Sequence, residues 1–160
     1  MNRIRLVADH ALGRLTMSAL VIVSLGAIAV LALGLSIAGV LAIDPLAWLG
    51  SLVVAIAATT ATSWIAARLV RVRAHLPSSI ITGLILFLLF TPSLQPGGLA
   101  AIAVAGAVAG VSKVVIAPRG RHVVNPAAIG ALVVGILQSV IPGAPLAYAS
   151  WWVATPPLLP

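Results

Sequence analysis

From Leu15 to Ala67 the chain carries a single charged residue, Asp44. A stretch this long and this poor in charge belongs in lipid, yet it is too long for one crossing, because a helix passes about 30 Å of hydrocarbon in roughly 20 residues. It must turn back once. Asp44-Pro45 is the natural turn, since Pro45 lacks an N–H and disfavours helix at the residue before it. Two spans follow, over 17–43 and 46–67. A cleaved leader flanked by Arg3, Arg5 and Arg14 is the competing reading of the first, but its apolar run exceeds the roughly 7–15 residues of such a segment.

The remainder of the chain has the same character. Of its 160 residues 62% are hydrophobic and only 7% charged, against about 25% charged in soluble domains. A third segment, 78–91, is short and bounded by Pro77 and Pro92, so it is a tilted, extended span or a partly broken one lining a cavity. A fourth covers 99–117 and a fifth 126–141, followed by a Pro142-Gly143-Ala144-Pro145 loop. Trp151 and Trp152 read as interfacial anchors opening an incomplete sixth stretch that stops at Pro160. The expected fold class is an all-α integral membrane protein with about five transmembrane helices, an N-terminal arm over 1–16 and a membrane domain over 17–160.

The net charge of +7 has a topological explanation. A cytoplasmic N-terminus puts 1–16, 68–77 and 113–125 inside and 44–45, 92–98 and 142–150 outside. All nine cations then fall inside: Arg3, Arg5, Arg14, Arg68, Arg71, Arg73, Lys113, Arg119 and Arg121. That asymmetry is the positive-inside pattern of a multi-pass inner (cytoplasmic) membrane protein, whose partner is the bilayer and not nucleic acid. Lys113 lies slightly within the fourth segment, and its long stem is expected to carry the ammonium to the interface.

The composition also limits the chemistry. No cysteine is present, which removes disulfides and thiolate metal or iron–sulfur ligation. No Asp or Glu falls within a span, so no carboxylate marks an ion pathway, although backbone carbonyls at a broken helix can still bind Na⁺. No metal or phosphate-loop motif occurs, and the three histidines are far apart in sequence. Gly106 and Gly110 have GxxxG spacing, which in a Gly- and Ala-rich chain reads as ordinary close helix packing before it reads as a dimer face.

The informative region lies between the fourth and fifth segments. Asn125-Pro126 is a good helix start, with Asn as N-cap and Pro at the first helical position. The exposed first-turn amides, with Arg119, Arg121 and His122 just upstream, form a candidate anion-binding corner suited to a phosphate, a flavin ribityl-phosphate or a lipid headgroup. The third segment opens in the same way on the same side. There Ser78 and Ser79 are expected to cap the helix that continues through Thr82 and Gly83, with Arg71, Arg73 and His75 upstream. Gly83 and Gly130, lacking side chains, can admit a flat ring or another helix. Against this stands the plainer reading, in which the cations set topology and touch lipid and Asn-Pro is only a cap.

Three pieces together resemble a known family: Ser78-Ser79-Ile80-Ile81-Thr82-Gly83-Leu84-Ile85-Leu86, the pair Ser112-Lys113, and Gly120-Arg121-His122-Val123-Val124-Asn125-Pro126-Ala127-Ala128-Ile129-Gly130. They look like the D subunit of Rnf electron-transport complexes and the related B subunit of the Na⁺-pumping NADH:quinone oxidoreductase. The likeness is clearest from Ser78 to Gly130 and looser elsewhere. It implies one half, the first repeat, of an inverted-repeat membrane flavoprotein, either beside other subunits of an electron-transfer complex or fused to a reductase module in a longer chain. It further implies FMN or riboflavin as cofactor, with Ser79, Thr82, Gly83, Arg119, Arg121, His122, Asn125 and Pro126 as candidate contacts. The family attaches FMN to a threonine in a Ser-Gly-Ala-Thr-like motif. Here Ala154-Thr155-Pro156 is kept, but Trp152 and Val153 replace the serine and glycine, which leaves Thr155 either a covalent FMN site or part of a span-initiating turn.

The function implied is a membrane subunit or domain of a flavin-dependent oxidoreductase, passing electrons from a NAD(P)H- or ferredoxin-linked partner to a membrane acceptor. Two alternatives stand beside it. One is a small-solute channel or transporter, since the repeat is similar to the urea-transporter fold, and the other is a passive anchor for a soluble reductase.

Overall fold

The computed structural model describes residues 16–116, 124–141 and 146. Residues 1–15 of the N-terminal arm, the 142–145 loop and the Trp151-Trp152 stretch lie outside the described residues. Within them the chain forms five helices: α1 Met17–Ile37, α2 Pro45–Leu69, α3 Leu76–Leu89, α4 Pro96–Val115 and α5 Pro126–Val140. Helices α1, α2 and α4 are long and apolar enough to cross a membrane. Helices α3 and α5, with 14 and 15 residues, rise only about 21–22 Å and fall short of the roughly 30 Å of a bilayer core.

Local chemistry explains the helix starts. Asp44 accepts the Leu46 amide at 3.0 Å, and Pro45 takes the first helical position of α2. Asn125 accepts the Ala127 amide at 3.0 Å ahead of Pro126, so the expected Asn-Pro cap of α5 forms. Thr16 caps α1 by accepting the Ala19 amide at 3.2 Å.

The first helix ends at Ile37, not near residue 43. Gly39 adopts φ +75°, its amide donates to Ser36 O at 3.1 Å, and the Val40 amide donates to Leu35 O at 2.9 Å. This is the paired terminating pattern that a left-handed residue allows. The Ser36 hydroxyl then donates to the Ile43 carbonyl and fastens the returning chain. Helix α2 ends in the same geometry with a residue less suited to it. Arg71 has φ 59°, with its amide on Arg68 O at 3.2 Å and the Val72 amide on Ala67 O at 2.9 Å.

Two polar ties set the threading. Near the start of α2, the Ser51 hydroxyl donates to Ser93 O at 3.3 Å and accepts the Ser93 amide at 3.0 Å, in the link from α3 to α4. At the other end Lys113 of α4 donates to Ser78 of α3. Helices α2, α3 and α4 therefore alternate in direction, and α2 and α4 run side by side in the same sense.

Small residues allow that approach. A Cβ on Gly106 would come within 3.0 Å of Ala58 Cβ and Thr59 Oγ1, and one on Gly110 would overlap Thr62 Oγ1. The GxxxG pair thus serves packing within the chain. Phe87, Phe90, Leu86, Ile102 and Val134 are fully buried between the helices, with Trp48 edge-on to Phe87 at 4.9 Å. Outward, Val30, Leu31, Leu132 and Val140 are all more than 60% exposed, an apolar surface suited to lipid.

Charge is segregated. Among the described residues the Lys and Arg side chains, Arg68, Arg71, Arg73 and Lys113, all lie toward the end where α2 and α4 finish and α3 begins. The sole described carboxylate, Asp44, caps the opposite end of α2.

Candidate functional site

Helix α3 begins earlier than the serines imply. Its N-cap is His75, which makes no side-chain cap, and Pro77 sits in the first turn, where its missing N–H removes no helical bond. Ser78 and Ser79 are therefore the third and fourth helical residues and not caps. The Ser79 amide is already inside the helix, donating to His75 O at 3.3 Å. Relieved of capping, Ser78 faces α4 instead.

Lys113 meets it there. Its ammonium donates to the Ser78 carbonyl and, at 2.9 Å, to the Ser78 hydroxyl. The residue is only 7% exposed, so its ammonium is held by protein oxygens. The reason is geometric, since α3 starts beside the last turns of α4 and offers two oxygens within reach.

Around this contact the last turns of α2, the connecting residues 70–75, the start of α3 and the end of α4 border an open cavity of about 320 Å³. Its polar lining is Ser63, Arg73, His75, Ser78 and Lys113, and Ala67 and Val72 are among its apolar walls. Arg68 stands nearby with its guanidinium 4.6 Å from the centre of the Trp64 ring, a cation–π contact at the same end. The polar lining is made of hydrogen-bond donors and contains no carboxylate. Such a set is chemically equipped to hold an anion.

Of the residues picked out from sequence, Ser79, Thr82 and Gly83 come together as buried positions of α3. The Thr82 hydroxyl donates to Ser78 O at 3.0 Å. Gly83 lies against α2, where an added Cβ would stand 2.8 Å from Ile56 Cα and 3.1 Å from Ala55 O. Gly130 lies equally close to α4, its Cβ position overlapping the Ala105 carbonyl. Both glycines admit a helix, and the space beside them is filled by backbone and not left for a flat ring. Asn125 and Pro126 start α5 beside the last turns of α4, where Ile129 shares an apolar groove with Val111 and Val115. The two short helices thus open toward the same end, as expected. Arg119, Arg121, His122 and Thr155 lie outside the described residues.

Sequence reasoning missed Ser63 and the inward position of Lys113. Arg73 and His75 were legible only as a basic flank. An isolated lysine in an Ala- and Gly-rich stretch is the signal that was present, but its partner lies 35 residues away, beyond any local pattern. No protein-family model, curated protein or solved structure matches this chain.

Proposed function

We propose that this chain is the membrane part of a flavin-dependent electron-transfer oxidoreductase of the Rnf and Na⁺-pumping NADH:quinone oxidoreductase type, with its N-terminus in the cytoplasm. The observation that carries the reading is the bond from Lys113 to Ser78. It joins two of the three motifs on which the resemblance rests, and the third, at Asn125-Pro126, begins its helix toward the same end. A flavin, as FMN or riboflavin, supplies the electron-transfer chemistry when bound. The donor-lined cavity fits the polar, phosphate-bearing part of such a group, whereas the space beside Gly83 does not fit its ring.

The chain's own part is positioning. Buried Ser79 and Thr82 put polar groups in the first two turns of α3, inside an apolar bundle. Asn125 and Pro126 present a second set of first-turn amides, with Arg119, Arg121 and His122 as their cationic approach, while Thr155, on the outer side in this layout, is a separate candidate for phosphoester attachment. A NAD(P)H- or ferredoxin-linked partner, separate or fused, delivers electrons, and a membrane acceptor takes them.

The test is direct. Full-length protein purified from its native membrane is expected to show flavin absorbance, and in-gel fluorescence after denaturation if the link is covalent. Colourless protein that gains no flavin on incubation with FMN or riboflavin overturns the reading.

A further inference from the structure

We infer that the cavity framed by Ser63, Arg73, His75 and Lys113 at the start of α3 binds a phosphate group. Lys113 is buried, and its ammonium is bonded only to neutral oxygens of Ser78 among the described residues. The one described carboxylate, Asp44, is at the other end of α2. Burying an ammonium without a counter-charge is costly even after relaxation. The position adds to this, because the first turn of α3 carries a partial positive charge that favours anions. The C-terminal end of α4 offsets part of that effect but leaves the formal charge of the lysine unbalanced.

A second observation points to the same space. Ser63 is 4% exposed and lines the cavity, yet its hydroxyl has no hydrogen-bond partner among the described residues. The threonine hydroxyls of α2 are satisfied within the helix, as Thr59 is by Ala55 O at 2.8 Å and Thr62 by Ala58 O at 2.6 Å, and Ser51 bonds Ser93. Its oxygen faces the cavity, where a ligand or water can bond it. Arg73 and His75, both exposed, line the open rim of the same cavity, so its donors come from α2, α4 and the connecting chain. Donors from several directions suit a tetrahedral oxyanion better than a planar carboxylate, which is best met in one plane. The phosphate belongs either to a flavin mononucleotide or to an anionic lipid headgroup. The inference does not rest on the flavin reading, because a lipid phosphate meets the same donors.

The experiment uses the full chain in nanodiscs of phosphatidylcholine, with thermal unfolding followed in inorganic phosphate and in chloride at matched ionic strength. Phosphate is expected to raise the midpoint and chloride to leave it unchanged. Lys113→Gln is expected to weaken phosphate binding by about tenfold or more, and Ser63→Ala and Arg73→Gln by roughly threefold to tenfold each. If Lys113→Gln fails to fold, the other two variants carry the comparison. A larger shift with FMN than with riboflavin supports the nucleotide as the source. A shift on adding phosphatidylglycerol, together with loss of the increment from inorganic phosphate, supports the lipid. Equal responses to phosphate and chloride, with no gain from FMN or phosphatidylglycerol, overturn the inference. So does a phosphate response that appears only in Asp9→Asn, which would make Asp9 the counter-charge.

Discussion

Lys113 near the end of α4 donates to two oxygens of Ser78 in the first turn of α3, the hydroxyl at 2.9 Å. Together with the Ser51–Ser93 pair at the opposite end, it holds a helix too short to cross a bilayer between two that are long enough. The short helix can then place polar first-turn groups below the membrane surface, because neighbouring protein rather than lipid satisfies them.

Ser78→Ala removes one of the two acceptors and keeps the carbonyl. A double-mutant cycle with Lys113→Met is expected to return a coupling energy of about 1 kcal/mol, the scale of interhelical hydrogen bonds in membranes. Reversible unfolding in mixed micelles measures it, and additive effects of the two changes would show that the contact contributes nothing.

Identical substitutions at two glycines should have opposite signs. An added Cβ at Gly110 meets Thr62 Oγ1, Ser63 N and Thr59 O, whereas at Gly34 nothing lies within 4 Å. Gly110→Ala is expected to destabilise by about 1–3 kcal/mol through overpacking. Gly34→Ala is expected to stabilise by up to about 1 kcal/mol through helix propensity. Parallel thermal melts of the two variants decide the matter.

Arg71 holds φ 59° at the end of α2, a conformation that costs a side-chain-bearing residue about 1–2 kcal/mol. Arg71→Gly should therefore raise stability by about 1 kcal/mol, and Arg71→Val should lower it. Melting midpoints that fall for the glycine variant would mean that the cation, and not the backbone, dominates at this position.

Orientation can be read chemically, because the chain has no cysteine of its own. The proposed layout has Arg71→Cys labelled only from the cytoplasmic side and Gln95→Cys only from the outside, using a membrane-impermeant maleimide on intact cells and inverted vesicles. Labelling of Arg71→Cys on intact cells would reverse the layout, together with the side on which the cavity opens.

Apolar character and the starts of α2 and α5 were legible in the primary structure because both are local, whereas α3 begins at Leu76 and α4 at Pro96, ahead of the expected 78 and 99. The run from Leu15 to Ala67, with Asp44 its single charge, is long and apolar enough to span a membrane, and Asp44-Pro45 and Asn125-Pro126 cap helices by contacts within three residues. Gly39, too, carried a local signal, but the apolar residues continuing past it hid the end of α1. Tertiary structure alone decided which glycines meet a backbone, that Ser78 receives a lysine instead of capping its helix, and that Ser63 lines a cavity. The physical reason is that helices in lipid are apolar all round, so periodicity does not point to a neighbour. Contact is then chosen by close fit and by hydrogen bonds that exist only once the helices are side by side.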